Sequence, residues 1–222
     1  MINKIYKIVN NKYSNIFKFF FFLRYVFLIF FTAMSFFLTI PKFFDYEKKE
    51  EYIKEYLYKT YSVQLNKISF IEYNIFPLPN LSINNVDFSI NDGTENFSSE
   101  KINIFMNFKN IYDYKNFKDK KIKISKSNVT FEIEKTVDLI NYFNELNNKI
   151  YIKDLNLPLS KNKKNIIKIK NINLSNYGYN KNKISGLIFD KSFLITLYQN
   201  VKSLDLKIED IGIEAKIDFQ NF

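Results

Sequence analysis

The chain has 222 residues and contains no cysteine, histidine or tryptophan. The missing residue types exclude disulfides, thiolate or imidazole metal ligands, and Ser-His-Asp or Cys-His catalysis within this chain, so we expect no enzyme and no cofactor. The formal charge is +10, but residues 1–42 hold six basic groups and no acid, which leaves 27 basic against 23 acidic groups elsewhere. Counterion release needs clustered basic groups, so we expect no nucleic-acid partner.

The first predicted element is a transmembrane signal-anchor helix. Residues 19–40 form an apolar run, FFFFLRYVFLIFFTAMSFFLTI, which only Arg24 interrupts. At 1.5 Å per residue such a helix is about 33 Å long, enough to cross a hydrocarbon core of about 30 Å. We predict that Lys18 and Arg24 lie at the membrane interface, because the long side chain of Arg24 can reach back to the head groups.

The charges on either side of this helix predict its orientation. Residues 1–18 form a basic tail, whereas acids follow the helix at residues 45–51. The positive-inside rule therefore places the tail in the cytoplasm and exports the rest of the chain. A cleaved signal peptide is the alternative, since Ala33-Met34-Ser35 weakly resembles a cleavage site. That tripeptide lies inside the apolar run, which favours an uncleaved anchor.

Residues 45–61 predict an amphipathic helix with Asp45 as its N-cap. Ile53, Leu57 and Tyr61 follow each other at four-residue spacing, so they form one apolar stripe on a charged helix. We predict that Tyr52 and Tyr56 lie at the membrane interface, because aromatic side chains favour head-group depth. A solvated helix face is the alternative.

The domain at residues 62–222 shows apolar residues at a period of two, which is typical of β-strands. A shift of parity at Asn84-Asn85 predicts a bulge or a tight bend. Within this domain only residues 137–146, VDLINYFNEL, have a helical period. Short connections favour an antiparallel meander.

An apolar sheet face must be covered, and only two short helices are predicted outside the membrane. Two architectures therefore remain open. One is a two-sheet sandwich with a dry protein core, which periodicity alone favours. The other is one curved antiparallel sheet, mainly β with one or two short helices, whose concave face holds an apolar ligand.

The order of features up to about Glu134 carries a family resemblance. A short basic tail, an anchor helix and Pro41 precede the helix FFDYEKKEEYIKEYLYKTYSVQL and the strands KISFIEYNIFP, PLPNLSINNVDFSI, SEKINIFMNFKNIYDYK and KKIKISKSNVTFE. This order resembles the N-terminal region of the AsmA-like family of bacterial envelope proteins, and residues 76–79 (FPLP) are the most specific piece. The chain departs from the family pattern in two ways. It has Asn66-Lys67 before the first strand, where members often have glycine, and it is shorter than most members. We therefore interpret the chain as a truncated or split member, or as a short paralogue.

The resemblance implies a half-open β-groove, anchored in the bacterial inner membrane and reaching into the periplasm. Such proteins are similar to bridge-like lipid transfer proteins and are linked to phospholipid transport and outer-membrane biogenesis. The implied partners are phospholipid, the inner membrane and other envelope proteins. With this resemblance we favour the groove, and we predict that nine side chains bind lipid: Ile68, Phe70, Leu81, Ile83, Val86, Phe88, Ile102, Ile104 and Met106.

Two alternatives stand beside this prediction. Ordinary core packing would produce the same pattern at all nine positions. The whole chain could equally be a membrane-anchored structural or scaffold protein, in which a closed β-sandwich docks envelope partners.

Overall fold

A computed structural model describes residues 2–91, 93, 95–113, 118–162, 164–198 and 203–218, and for residues 2–14, 17, 109, 144 and 210 it describes the backbone only. Met1 of the predicted tail and residues 219–222 of the predicted groove domain lie outside the described residues. The chain divides into two units, Met1–Phe44 and Asp45–Phe222.

The N-terminal unit is one long helix, α1 (Ile2–Thr39), followed by a 3-10 turn at Ile40–Phe43. The stretch Lys18–Phe43 is long and apolar enough to cross a membrane, in agreement with the predicted span at 19–40. Pro41 has no N–H with which to continue the α-helical ladder, so α1 ends just before it. The hydroxyls inside the span donate to carbonyls four residues earlier, which satisfies them within an apolar helix.

Two further helices belong to the second unit, α2 (Glu50–Tyr61) and α3 (Thr136–Glu145). Both confirm predicted helices to within a few residues. The prediction of Asp45 as the N-cap is wrong, because Tyr46 precedes the 3-10 turn and Lys49 precedes α2. Asp45 Oδ1 instead accepts a bond of 3.4 Å from the Lys48 N–H within that turn. The apolar stripe of α2 is buried along its whole length, as its four-residue spacing predicted.

The described residues of the second unit are mainly β, and twelve strands among them form one open sheet. The order is β1-β3-β4-β5-β7-β8-β9-β10-β11-β12, with β2 also beside β3 and β6 beside β7. No second sheet faces it in the described part of the chain, so the predicted open sheet is confirmed and the sandwich is not formed. The strands are Val63–Lys67 (β1), Phe70–Asn74 (β2), Asn80–Ile90 (β3), Phe97–Met106 (β4), Asp119–Asn128 (β5), Phe131–Glu132 (β6), Ile150–Lys161 (β7), Lys164–Ser175 (β8), Lys183–Ile188 (β9), Lys191–Tyr198 (β10), Ser203–Ile208 (β11) and Ile213–Asp218 (β12).

The sheet departs from a pure antiparallel meander at β7, which pairs in parallel with β5 and with the short β6. The other pairings are antiparallel. Helix α3 lies between β6 and β7 in the chain and returns it to the end of the sheet where β5 began. A parallel pair needs such a crossover, whereas a short turn can join only antiparallel strands.

A line of left-handed residues crosses neighbouring strands, and we call it the crease. It contains Asn85 of β3 (φ 46°), Lys126 of β5 (φ 53°), Asp154 of β7 (φ 57°) and Asn171 of β8 (φ 52°). The register places these residues side by side, with Glu100 of β4 between the first two. Extra residues of this kind shift side-chain parity and bend a sheet. The bend predicted at Asn84-Asn85 is thereby confirmed, as one part of a bend shared by several strands.

Candidate functional site

One face of the sheet is apolar across its whole width, and we call it the inner face. At the start of the sheet, the register sets Leu81 of β3 beside Ile104 of β4, and Ile104 beside Ile122 of β5. The last three strands continue the same pattern, with rows formed by Ile195, Leu206 and Ala215 and by Leu197, Leu204 and Ile217. The inner face is therefore one continuous apolar surface.

The exposure of the inner face rises along the sheet. Leu81, Ile104 and Ile122 are 0% exposed. In β12, by contrast, Ile213 is 47% and Ile217 is 42% exposed. We call the accessible part the open segment, and its side chains are half-buried or exposed: Ile184, Ile188, Ile195, Leu206, Ile208, Ile213, Ala215 and Ile217.

Helix α2 explains part of this gradient. It precedes β1 directly, packs against that strand, and buries Ile53, Leu57 and Tyr61. It also reaches β5, where the hydroxyls of Tyr56 and Tyr61 donate to the carboxylate of Asp119. The described residues contain no second sheet to cover the first strands, and α2 supplies part of their cover through its contact with β1 and its bonds to β5. The open segment lies on the later strands β9 to β12.

The half-buried carboxylate of Asp119 is held between two tyrosines of α2. The Tyr56 hydroxyl lies 2.6 Å from its Oδ1, and the Tyr61 hydroxyl lies 2.5 Å from its Oδ2. Burial raises the pKa of Asp119 above its ordinary value, and the two tyrosine hydrogen bonds only partly oppose this effect. Burial and the neighbouring carboxylate together raise the pKa of Tyr56 to about 12. The pair of bonds fastens α2 onto the sheet.

Seven of the nine predicted lipid-binding residues lie in the sealed part of the inner face. They are buried, and the hydrocarbon of their neighbours in β3, β4 and β5 surrounds them. Contact between a lipid and these side chains would require α2 to move, so their role stays a prediction. The seven are Leu81, Ile83, Val86, Phe88, Ile102, Ile104 and Met106.

The other two predicted residues are not on the inner face. Phe70 pairs with Asn84 and is 50% exposed on the opposite face, while Ile68 lies between β1 and β2 and is half-buried. Instead, Ile71 and Tyr73 of β2 share the inner face with β3. The period-two prediction failed here because the break between β1 and β2 at residues 68–69 resets the alternation.

The predicted membrane-interface residues occupy different surroundings. Lys18 and Arg24 are exposed on α1, within or at the start of the candidate span. Tyr52 is exposed on α2. Tyr56 is half-buried, and its hydroxyl is bound to Asp119. The structure thus gives Tyr56 a packing role within the second unit, and interface contact at the other three stays a prediction.

The outer face of the sheet carries ion pairs between neighbouring strands, although Leu187 and Leu194 also lie on it. Lys126 lies 2.8 Å from Glu100, and Lys207 lies 2.7 Å from Glu214. Among the residues that the structure describes, no three carboxylates come close enough to hold a metal ion. The two faces of the sheet therefore differ in chemistry, since the inner face is apolar and the outer face carries charged side chains.

Comparison with known proteins adds no relative. No family model, no curated protein and no solved structure matches the chain. The inner face and its exposure are accordingly the features from which a function can be argued.

The accessible residues of the inner face lie in the predicted β domain at residues 62–222 but were not predicted as a site. Their signal is an apolar residue at every second position in β10, β11 and β12, and the register sets these residues on one face. That signal identifies the face on which a side chain lies. It carries no information about which strands a helix covers, because the cover comes from α2, more than 100 residues earlier in the chain.

Proposed function

We propose that this chain is an AsmA-like protein, anchored in the bacterial inner membrane with its sheet in the periplasm. It binds acyl chains of phospholipids along the inner face of the sheet and contributes to phospholipid transport and outer-membrane biogenesis. The observation that carries the proposal is one unbroken apolar row on the inner face, which runs from Ile83 in the sealed core to Ala215 in the exposed strand β12. Between these ends the row contains Ile102, Ile124, Ile152, Leu174, Ile184, Ile195 and Leu206.

The energetics favour an apolar ligand on the open segment. Large aliphatic side chains such as Ile213 and Ile217 remain in contact with water, and each buried CH₂ group of a bound chain would contribute about 0.8 kcal/mol. A carrier that must also release its ligand benefits from a surface of this kind, because contact with a flexible chain needs no specific polar partner. No acid, base or nucleophile is required.

The anchor and its charges support the proposed location. Six basic groups and no acid lie in residues 1–42, and acids follow directly after the apolar run. The positive-inside rule then leaves the second unit on the exported side. An apolar face kept near a membrane has a nearby source of lipid.

Site-specific photo-crosslinking in cells tests the proposal. A photoreactive residue at Ile195, on the open segment, should capture phospholipid, whereas one at its neighbour Thr196 should not. The two positions are adjacent and similarly half-buried, but successive residues of a strand point to opposite faces. Equal capture at both positions, or capture of protein alone, would contradict the proposal.

A third probe at Ile104 reports on α2. Ile104 is fully covered, so capture there would require α2 to leave the inner face. Capture at Ile195 alone would restrict lipid to the open segment, and capture at both would extend it to the sealed part of the inner face, where seven of the nine predicted residues lie.

A docking function is the second candidate. The exposed strand β12, at the end of the open sheet, favours it. A closed sandwich would not be needed for docking, since an edge strand can bind another strand through its backbone.

A further inference from the structure

The two edges of the open sheet differ in their protection. Along the first edge, α2 packs against β1 and buries Val63. At the other edge, β12 pairs with β11 and with no other strand in the described part of the chain. All six residues of β12 are exposed. Such an edge presents unpaired N–H and C=O groups to any strand that can lie beside it.

β12 has few of the features that keep an edge from pairing. It contains no proline, its pairing with β11 is regular, and no charge points to its inner face. Its inner residues are Ile213, Ala215 and Ile217, while Glu214, Lys216 and Asp218 alternate with them on the outer face. The strand therefore has one apolar side and one side of alternating charge.

We propose that β12 pairs with β12 of a second copy of this chain, antiparallel and centred on Ala215. In this register Ile213 faces Ile217 of the second copy on the inner side. On the outer side Glu214 faces Lys216 of the second copy, and the two-fold axis repeats both pairs. The interface is isologous, so it closes as a dimer and leaves no further edge of this kind.

The charges of β12 select this register. A shift of one residue would set apolar side chains against polar ones across the pair. Sliding one strand by two residues again sets apolar residues against apolar ones. A slide in one direction, however, places Glu214 opposite Glu214, and a slide in the other direction places Lys216 opposite Lys216. Like charges directly opposite each other destabilise a strand pair. The register centred on Ala215 is the one that satisfies both faces.

The neighbouring strand continues the charge pattern. Within one copy, Lys207 of β11 lies 2.7 Å from Glu214, and the register sets Asp205 beside Lys216. Across the proposed axis the outer row would read Lys207, Glu214, then Lys216 and Asp205 of the second copy, so that every neighbour has the opposite sign. The inner faces of the two copies would join into one apolar surface. The dimer depends on the edge strand alone and not on lipid binding.

Single cysteines test the pairing, because the natural chain has none. The variant Ala215→Cys, in the full chain in native membranes, places two thiols opposite each other with Cβ atoms about 5 Å apart. Mild oxidation should give a disulfide-linked dimer. Ile213→Cys is the matched control on the same strand and face, because its two copies would lie four residues apart, about 13 Å along the strands.

We expect about tenfold more dimer from Ala215→Cys than from Ile213→Cys. The control thiols would lie about 13 Å apart along the strands, and cysteines whose Cα atoms are more than about 7 Å apart cannot form a disulfide without backbone movement. Coexpression of Ile213→Cys with Ile217→Cys should restore a crosslink between the two variants. Equal crosslinking of all single variants, absence of the Ala215→Cys dimer, or a crosslink to another protein would each overturn the proposal.

The charge pairs provide an independent test. In the Ala215→Cys background, Lys216→Glu sets like charges opposite each other and should abolish most of the dimer. Adding Glu214→Lys restores opposite charges in the same register, and the dimer should return. Failure of this exchange to restore the crosslink, in a variant that still inserts into the membrane, would exclude the proposed register.

Discussion

Asp119 shows how one side chain holds a helix onto the sheet. Its two carboxylate oxygens accept hydrogen bonds from Tyr56 and Tyr61, which lie on the same helix. The backbone carbonyl of Tyr61 accepts a further bond of 2.5 Å from the Tyr142 hydroxyl of α3. A buried acceptor that loses such a donor costs about 1 to 3 kcal/mol. These few polar bonds therefore determine how firmly α2 covers the inner face.

The raised pKa of Asp119 predicts a pH dependence of stability. The folded state holds the proton more tightly than the unfolded state, whose pKa is near 3.8. The contribution of Asp119 to the free energy of unfolding is therefore greatest below that pH and is lost as the pH rises through the folded pKa. Asp119→Asn removes this dependence. The difference in the free energy of unfolding between the variant and the natural chain should therefore change between pH 3.8 and the higher pKa of folded Asp119.

Denaturant unfolding of the full chain in detergent at several pH values measures this difference. Asp218→Asn, at an exposed carboxylate on β12, is the matched control and should show a much smaller change. A difference between Asp119→Asn and the natural chain that is constant with pH would contradict the prediction.

At the scale of elements, the crease determines how the sheet bends. Asparagine and aspartate tolerate the left-handed region better than most residues, because their short polar side chains bond locally. Asn85, Asp154 and Asn171 supply such side chains on three strands. The crease therefore has a local chemical cause on these three strands, whereas on β5 the left-handed residue is Lys126.

Substitution at Asn85 tests the crease. Asn85→Val places a β-branched residue at φ 46° and should lower the free energy of unfolding by about 1 to 3 kcal/mol. Asn85→Gly should be nearly neutral, since glycine adopts positive φ without steric cost. The same two substitutions at Thr196, an outer-face position of β10 with regular pairing on both sides, should show the reverse preference, because valine suits a regular strand. Equal effects of valine and glycine at Asn85 would argue against strain.

Glycine has a different role in β9. Gly186 faces Phe193 of β10, and an added Cβ would lie 2.9 Å from the Phe193 ring and 2.9 Å from the Lys170 carbonyl. The ring thus lies over the missing side chain and covers the gap. The inner face stays apolar at this point although the residue itself has no side chain.

At the scale of the molecule, an apolar helix and a sheet with an open apolar face occur in one chain. The helix stretch Lys18–Phe43 meets the length and composition of a membrane span. The second unit has its own hydrophobic core and contains none of that stretch. We therefore expect the anchor to be separable from the sheet.

Removal of residues 1–44 should release the chain from membranes. After an alkaline wash, the full chain is expected in the membrane pellet and the shortened chain in the supernatant or in lipid-bearing aggregates. Removal of residues 2–14 alone leaves the span intact, so that control should stay in the pellet. A shortened chain that resists the wash as the full chain does would mean that the sheet itself inserts into the bilayer.

The sequence by itself determined the features that arise from neighbouring residues. The apolar run of α1, the buried stripe of α2, the short helix α3 and the bend at Asn85 follow from spacings of a few residues, and each is present in the structure. The two inner and outer faces follow from the same kind of pattern. At β2 a break in the chain moved Phe70 to the other face.

The tertiary structure alone decided which apolar residues are sealed and which are open. Ile104 and Ile217 have the same chemistry and the same alternation, yet one is covered and the other is 42% exposed. The parallel pairing of β5 with β7 was likewise decided by the crossover through α3. The physical reason is that cover and pairing depend on elements distant in the chain, whereas periodicity reports only on the orientation of a side chain within its own strand or helix.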